Sequence, residues 1–254
     1  NYGPSDEYTD EELHNLWAHY AAESEIVDRW IGRVLEKITD LGLWESSIVV
    51  VTTDHGMSIG EHARTGKSNI HPNDRRFWPI YPEIGHLPFL IAAPGLPGGR
   101  SVDGFMQPVD ILPTVAELAE VSLARAAEPV DGLSRAAELR GESDDSLRDL
   151  AVSGCFLKPD DESGGAPPKG ATTPFVVSDK WGYAPIGAAG SPELYDIRHD
   201  PLAGRDVAEE HPDAVVEMHE RLIEHLKAHR APESLIDLLS AKGSGGGSWA
   251  VDYS

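Results

Sequence analysis

Two adjacent residues, Asp54 and His55, are the strongest candidates for chemistry in this sequence of 254 residues. They follow residues 48–53, a β-branched run typical of a strand buried on both faces of a parallel sheet. Ligands of open α/β sheets bind at the carboxyl ends of strands, and Gly56 lets the backbone turn away there. A carboxylate beside an imidazole can supply two ligands to one divalent cation. Oxygen and nitrogen ligands favour Mn²⁺, Zn²⁺ or Fe²⁺, and Ca²⁺ suits the pair if the other ligands are oxygens. The alternative is a strand end with a solvated Asp54 and a packing His55.

The segment 60–68 also matches the phosphate-loop pattern G-x-x-x-x-G-K-[ST], with Lys67 as its lysine. A phosphate loop leaves its strand at once and opens a helix after the lysine. Here residues 54–59 intervene, and residues 69–74 have no helix-start signal. Glu61 would also bring negative charge into a cradle for phosphate. We therefore predict an irregular turn that does not bind ATP.

The elements predicted around these residues alternate between helix and strand. Thr9 and Glu12 form a capping box before an apolar stripe of helical spacing, which Gly42 ends. Further strands are predicted at 88–93, 151–156, 174–178 and 194–197, and helices begin at Asp110 and Pro212. This order predicts an α/β architecture. We expect five histidines on or near the last helix to be solvated: His199, His211, His219, His225 and His229.

The composition limits the partners of the chain. A net charge of −22 and a pI near 4.7 predict repulsion of nucleic acid and of anionic lipid. No apolar run is long enough to span a membrane. The lone cysteine, Cys155, cannot form an internal disulfide, which favours a reducing compartment and predicts a cytoplasmic location. Residues 1–10 are polar, do not resemble a signal peptide and do not begin with Met. We expect either a removed start or a piece of a longer chain, so an export signal stays open.

Residues 48–67 resemble the second metal-binding signature of the sulfatases, which belong to the alkaline phosphatase superfamily. The matching positions are the strand run with Asp54-His55-Gly56, then Gly60-Glu61-His62, then Gly66-Lys67. Four other blocks resemble sulfatase segments in the family's order: 20–32, 87–95, 109–114 and 193–202. The resemblance extends from about Tyr20 to Leu226.

This resemblance implies roles for four residues. Asp54 and His55 fall on paired ligands of one divalent metal ion, Ca²⁺ or Mn²⁺/Zn²⁺. Lys67 falls on the lysine that contacts the ester group, where its ammonium would offset charge on the bridging oxygen as the bond breaks. His62 either touches substrate or leaving group, or braces the loop. The substrate implied is a small-molecule sulfate ester, attacked by a formylglycine nucleophile expected in an N-terminal part.

Two departures from the family pattern matter. Many sulfatases carry Asn where this chain has His55, and an Asp-His pair is more like the phosphonate monoester hydrolases and related phosphodiesterases. The formylglycine motif C/S-x-P-x-R is absent from this sequence, and the residues after Cys155 do not match it. The acidic metal ligands of the family's first strand have no counterpart either, because Asp144-Asp145 and Asp160-Asp161 lie in predicted loops.

The predicted fold is α/β, the second half of an alkaline-phosphatase-like core with a smaller C-terminal α+β subdomain. Residues 1–140 are assigned to the core, and 141–254 to an antiparallel sheet, a helix and a tail. We predict that the isolated chain is inactive and that its exposed core edge pairs with another copy or with an N-terminal segment. The alternatives to a sulfatase are a phosphonate monoester or phosphodiester hydrolase, and a catalytically dead domain used for binding or structure.

Overall fold

The structure, a computed structural model, shows a mixed arrangement of short strands and six helices in the described residues. Those residues are 3–67, 76–124, 129–143, 145–154 and 172–243. In chain order the elements are β1 (Gly3–Pro4), α1 (Asp10–Asp40), β2 (Val49–Thr52), β3 (Ser58–Ile59), a 3₁₀ turn (Glu61–Ala63), β4 (Arg64–Gly66), β5 (Trp78–Pro79), α2 (Pro82–Gly85), β6 (Phe89–Ala92), a second 3₁₀ turn (Pro108–Asp110), α3 (Ile111–Leu118), α4 (Ala136–Arg140), β7 (Ala151–Ser153), β8 (Thr172–Thr173), β9 (Phe175–Val177), β10 (Trp181–Ala184), β11 (Glu193–Asp196), α5 (Pro212–Ala228) and α6 (Glu233–Gly243).

The chain divides into two compact units that alternate along the sequence. The first unit comprises Asn1–Thr9, His55–Leu87 and Val152–Ser254. The second unit comprises Asp10–Asp54 and Pro88–Ala151. The sequence predicted a domain boundary near residue 140, and that boundary stays a prediction. Several residues considered in the sequence lie outside the described residues: Ser68, Asp144, Cys155, Asp160 and Asp161.

The first unit is organised around short antiparallel sheets and an aromatic core. Its larger sheet has the strand order β11-β10-β9-β7, and β10 is antiparallel to both of its neighbours. A smaller sheet, β1-β4-β3, carries the segment that contains His62. The core combines aromatic residues with apolar residues of α5. Its fully buried members include Trp78, Tyr81, Phe175, Tyr183, Met218 and Leu222.

One histidine of α5 corrects a sequence prediction. His219 was expected to be solvated, but its side chain is buried, and its Nδ1 lies 3.0 Å from the hydroxyl of Tyr183 on β10. Burial lowers the pKa of His219, because it disfavours the charged imidazolium. The ring therefore joins the helix to the sheet, and the apolar neighbours Met218 and Leu222 bury the same face.

The second unit contains α1, a two-stranded sheet and a polar cluster around Asp110. The helix predicted from the capping box is present as α1, with acidic residues in its first turn, but none of its residues is buried. The strand predicted at 48–53 is present as β2. Its predicted environment is wrong: β2 pairs antiparallel with β6 and is half-buried, with Thr52 exposed. The β-branched run identified a strand, whereas the partner's direction depends on residues far along the chain.

A buried carboxylate organises the C-terminal part of the second unit. Asp110 accepts hydrogen bonds from the backbone N–H groups of Gln107 (2.9 Å) and Leu133 (2.8 Å), and it pairs with the Arg148 guanidinium. Burial alone would raise the pKa of Asp110, but the arginine and the two N–H groups outweigh it and lower that pKa. Among the described helices, none combines the length and hydropathy needed to cross a membrane.

Candidate active-site hairpin

A hairpin of the first unit brings Lys67 next to His55. Strand β3 pairs antiparallel with β4, so that Ser58 lies opposite Gly66 and Ile59 lies opposite Thr65. Lys67 follows directly after β4, and its Nζ lies 2.8 Å from Nε2 of His55. Gly66 has a φ of 97°, a conformation that favours glycine. Two of the predicted site residues are therefore in hydrogen-bond contact.

Two of the contacts of His55 indicate its tautomer. Nδ1 lies 2.8 Å from the carbonyl oxygen of Gly56, which can only accept, so Nδ1 carries the proton. Nε2 then has the lone pair and accepts from the ammonium of Lys67. This is the tautomer of metal-ligating histidines, which donate one ring N–H to a carbonyl or carboxylate and bind the cation through the other nitrogen.

Gly56 fixes the backbone beside His55 by close approach to α2. Its N–H donates to the carbonyl of Ile84 at 2.9 Å. A Cβ at this position would lie 2.0 Å from the carbonyl oxygen of Glu83, which no side chain can occupy without a shift of backbone. The sequence predicted that Gly56 permits a sharp turn. The structure shows that contact with α2 is the tighter constraint.

His55 can supply one nitrogen ligand to a metal ion. The described residues around it do not form a complete metal site. Asp54 is exposed, lies just beyond β2 and belongs to the second unit, whereas His55 belongs to the first. Within the described ranges, no three His, Cys, Asp or Glu side chains are grouped to hold a cation. The convergence of Asp54 and His55 on one metal ion stays a prediction.

His62 makes contacts with both ring nitrogens inside the first unit. Nδ1 lies 2.9 Å from Oε1 of Glu83, and Nε2 lies 2.8 Å from the carbonyl oxygen of Ala203. The ring stacks on Tyr81 at 3.6 Å between centroids, with 4° between the planes. Of the two roles left open by the sequence, these contacts favour the brace, because both polar atoms already have protein partners.

Several residues of this region carried no recognisable signal in the sequence. Glu83 accepts hydrogen bonds from Ser58 (2.8 Å) and from His62, and Glu193 accepts from the hydroxyls of Tyr81 (2.6 Å) and Tyr195 (2.9 Å). Burial, and then the nearby Glu193 carboxylate, raise the pKa of both tyrosines, so the hydroxyls stay protonated. These partners are separated by up to 112 residues, so no local pattern could have identified the whole set.

The structure gives the segment 60–67 a geometry unlike a phosphate loop. Gly60 (φ 106°) precedes the 3₁₀ turn at 61–63, and the chain then enters β4 instead of a helix. His62 and Ala63 both have positive φ, 51° and 56°. The segment is more regular than the predicted irregular turn, because residues 64–66 form a strand. Ser68 and the residues after it lie outside the described part of the chain.

Comparison with known proteins gives the family. The sequence profile described as "Sulfatase" matches residues 2–121. These residues match the sulfatase family. Arylsulfatase K from Bos taurus is 24% identical over 224 residues, which cover 85% of this chain and 37% of the bovine protein. The chain thus spans less than half the length of this sulfatase relative.

Solved structures give the same fold over most of the chain. The phosphonate monoester hydrolase from Silicibacter pomeroyi is 26% identical, with a TM-score of 0.69 over 87% of this chain and 43% of that protein. A sulfatase-like protein from Bacteroides thetaiotaomicron has the same TM-score over 93% of this chain and 47% of its own, at 24% identity. The predicted α/β fold class, of the sulfatase and alkaline phosphatase kind, is confirmed.

Proposed function

We propose that this chain supplies part of the active site of a metal-dependent sulfuric ester hydrolase. The observation that carries the proposal is the contact between Lys67 and His55, which stand at the lysine and metal-ligand positions of the sulfatase signature. Residues 2–121 match the sulfatase family, which supports a hydrolase of this kind. The substrate would be a small-molecule sulfate ester.

In this proposal the chain's own residues bind and orient the ester. The ammonium of Lys67 would donate a hydrogen bond to an ester oxygen and stabilise the negative charge that develops there. To do so it must turn from His55, whose Nε2 it now contacts. The β3–β4 pairing fixes the backbone before the lysine, so the ammonium would move toward an ester by side-chain rotation.

A bound divalent cation would supply Lewis-acid polarisation of the ester oxygens. His55 would hold it through Nε2, with Nδ1–H kept on the carbonyl of Gly56, and Asp54 would supply a carboxylate oxygen. Two ligands leave a cation weakly held. The proposal therefore includes further ligands and a formylglycine nucleophile from a part of the protein beyond these residues, and it predicts that the isolated chain is inactive.

A phosphonate monoester or phosphodiester hydrolase is the second candidate. The observation that favours it is the histidine at position 55, together with the structural likeness to the Silicibacter pomeroyi enzyme. A sulfate monoester and a phosphonate monoester both carry a single negative charge and a tetrahedral centre. The geometry around Lys67 suits both, so the choice between them must come from measurement.

The test uses the product of the complete reading frame that contains these residues, assayed with added Mn²⁺, Zn²⁺ or Ca²⁺. We expect hydrolysis of 4-nitrophenyl sulfate to exceed that of 4-nitrophenyl phenylphosphonate. Lys67→Met should lower kcat/KM by about 10²-fold or more, the usual effect of removing one donor to developing charge. Lys227→Met, an exposed lysine on α5, is the matched control and should leave kcat/KM unchanged.

The other outcomes are equally definite. Faster turnover of the phosphonate would select the second candidate. No turnover of either ester would support a catalytically dead binding or structural domain. Turnover by the purified 254-residue chain itself, lost in Asp54→Ala, would show that the nucleophile lies within these residues. Full activity in Lys67→Met would remove the role given to this lysine.

A further inference from the structure

His62 joins three segments of the first unit that are distant in the sequence. Its ring belongs to the 3₁₀ turn between β3 and β4, Glu83 belongs to α2, and Ala203 follows β11. The two ring nitrogens contact Glu83 and Ala203 at 2.9 and 2.8 Å. Tyr81 stacks on one face of the ring, and Tyr195 meets its edge at 6.3 Å. The ring thus has protein contacts at both nitrogens, on one face and at one edge.

Both polar partners of the ring are acceptors. A carboxylate and a backbone carbonyl have no proton to donate, so both nitrogens of His62 must carry hydrogen to make both contacts. Only the imidazolium has two N–H groups; a neutral ring would leave one contact as two opposed lone pairs. With Glu83 as a carboxylate, the two contacts therefore favour the charged form.

The groups that face His62 are consistent with this state. Burial alone would lower its pKa, but the hydrogen bond and charge of Glu83, and then the Ala203 carbonyl, outweigh burial and raise the pKa. Arg64 on β4 acts in the opposite direction. The hydroxyls of the neighbouring tyrosines, Tyr81 and Tyr195, are directed to Glu193.

The backbone at His62 and at its partner Ala203 is strained, so surrounding contacts must stabilise it. His62 and Ala63 have φ values of 51° and 56°, and Ala203, the partner, has a φ of 54°. Residues with a Cβ rarely adopt this region, and it costs about 1 kcal/mol or more for each. The strained turn connects the two strands that place Lys67, so its geometry determines where the lysine lies.

We propose that His62 is a positioning residue, whose imidazolium ties the β3–β4 turn to Glu83 and Ala203 and thereby holds Lys67 beside His55. Loss of its proton removes one of the two ties and loosens the hairpin. The consequence for catalysis rests on the function proposed for Lys67. The contacts of His62 with Glu83 and Ala203 do not depend on that function, and they are tested without any ester.

The first experiment measures the protonation of His62 in the full 254-residue chain by ¹⁵N NMR of the imidazole rings, with His62→Gln used to assign the signal. We expect both nitrogens to be protonated at pH 7 and the midpoint to lie above the ordinary value of about 6.5. Glu83→Gln, which keeps an acceptor oxygen but removes the charge, should lower the midpoint. A wild-type midpoint at or below 6.5 would overturn the proposal.

The second experiment follows Lys67 through its rate of acetylation, read by peptide mass spectrometry between pH 5.5 and 9. The rate is divided by that of Lys227 in the same sample, which cancels the ordinary pH dependence of amines. The ratio should stay low while His62 is charged and rise about fivefold as the ring loses its proton, the factor given by one ordinary hydrogen bond.

The variants make this measurement specific. His62→Gln should give the high ratio at every pH, and Glu83→Gln should move the rise to lower pH. His199→Gln is the matched control, because the His199 side chain is exposed and, among the described residues, pairs with Asp196 on the same turn, so it should reproduce the wild-type curve. A wild-type ratio that does not change as His62 titrates would overturn the proposal. The function proposed for Lys67 would remain to be judged by turnover alone.

Discussion

The two units of this chain differ in how they bury their apolar side chains. Among the described residues, all buried apolar side chains except Ala116, Ala136 and Leu150 belong to the first unit. All exposed large apolar side chains except Leu202 and Val216 belong to the second. Trp17, Trp30 and Val34 of α1, for example, are each about half exposed: 48%, 58% and 58%. The first unit has a core, whereas the second presents apolar surface.

The difference shows what holds each unit together. In the first, aromatic packing around Tyr81 supports the hairpin that carries Lys67. In the second, order around α3 depends on the hydrogen bonds and ion pair of Asp110. A stripe like that of α1 is typical of a helix that packs against a core, and contiguous exposed apolar surface usually marks an interface. His55 and Lys67 therefore lie in the unit with its own core.

The largest expected effect is on the buried ion pair of the second unit. Arg148→Met leaves the Asp110 carboxylate buried without its cation, which should cost about 3–5 kcal/mol of unfolding free energy in that unit. Arg198→Met is the matched control, because its pair with Asp179 is exposed and should contribute no more than about 1 kcal/mol. Urea denaturation measures both. Equal losses would mean that the Asp110 cluster does not organise the second unit.

The next effect compares two leucines on helices of the two units. Leu222 on α5 is fully buried, so Leu222→Ala should cost about 2–5 kcal/mol. Leu112 on α3 is 57% exposed, and Leu112→Ala should change the unfolding free energy by no more than about 0.5 kcal/mol. If Leu112→Ala costs as much as Leu222→Ala, the exposed face of the second unit is covered in solution and the contrast between the units is wrong.

The two units should lose stability at opposite ends of the pH scale. The folded pKa of His62 is raised, so its contribution is complete below the unfolded value of about 6.5 and is lost as pH rises through the folded pKa. The folded pKa of Asp110 is lowered, so its contribution is present above the unfolded value of about 3.9 and is lost as pH falls through the folded pKa.

Variants isolate each contribution to the unfolding free energy. The difference between wild type and His62→Gln should shrink as pH rises from 6 to 9. The difference between wild type and Asp110→Asn should shrink as pH falls from 5 to 3. Urea midpoints at a series of pH values give both curves. The same direction of change for both variants would contradict the assigned charge states.

Two glycines give the smallest pair of effects, of opposite sign. Gly56→Ala would place a Cβ 2.0 Å from the carbonyl oxygen of Glu83 and should cost about 1–3 kcal/mol. Gly32 lies inside α1 with open space around its Cβ position, so Gly32→Ala should stabilise the helix by about 0.5–1 kcal/mol. Thermal unfolding followed by circular dichroism measures both. Stabilisation by Gly56→Ala would show that α2 lies farther from His55 than the structure places it.

Local patterns in the sequence predicted several of the elements correctly. The capping box at Thr9 predicted α1, the run before Asp54 predicted β2, and Pro212 predicted the start of α5. These signals depend on residues within a few positions of each other, which a sequence displays directly. The pairing of β2 failed as a prediction, because strand direction is decided by a partner about forty residues away.

The part of the candidate site that lies within the sulfatase signature could be predicted from the sequence, and the rest could not. The signature placed His55 and Lys67 together, and the structure shows them in contact. It did not indicate Glu83 or Ala203, because the bridge through His62 is formed only when distant segments pack. The burial of His219 was missed for the same reason: its partner Tyr183 lies on another element.

The most direct test of the contrast between the units is native-state hydrogen exchange of the whole chain at pH 7. Amides in the middle of α5 pack on the core of the first unit and should exchange only in the most complete unfolding events. Amides in the middle of α1, which has no buried residue, should exchange through local opening at much lower free energy. Equal protection of the two helices would contradict the account, because it would show that α1 is buried as deeply as α5.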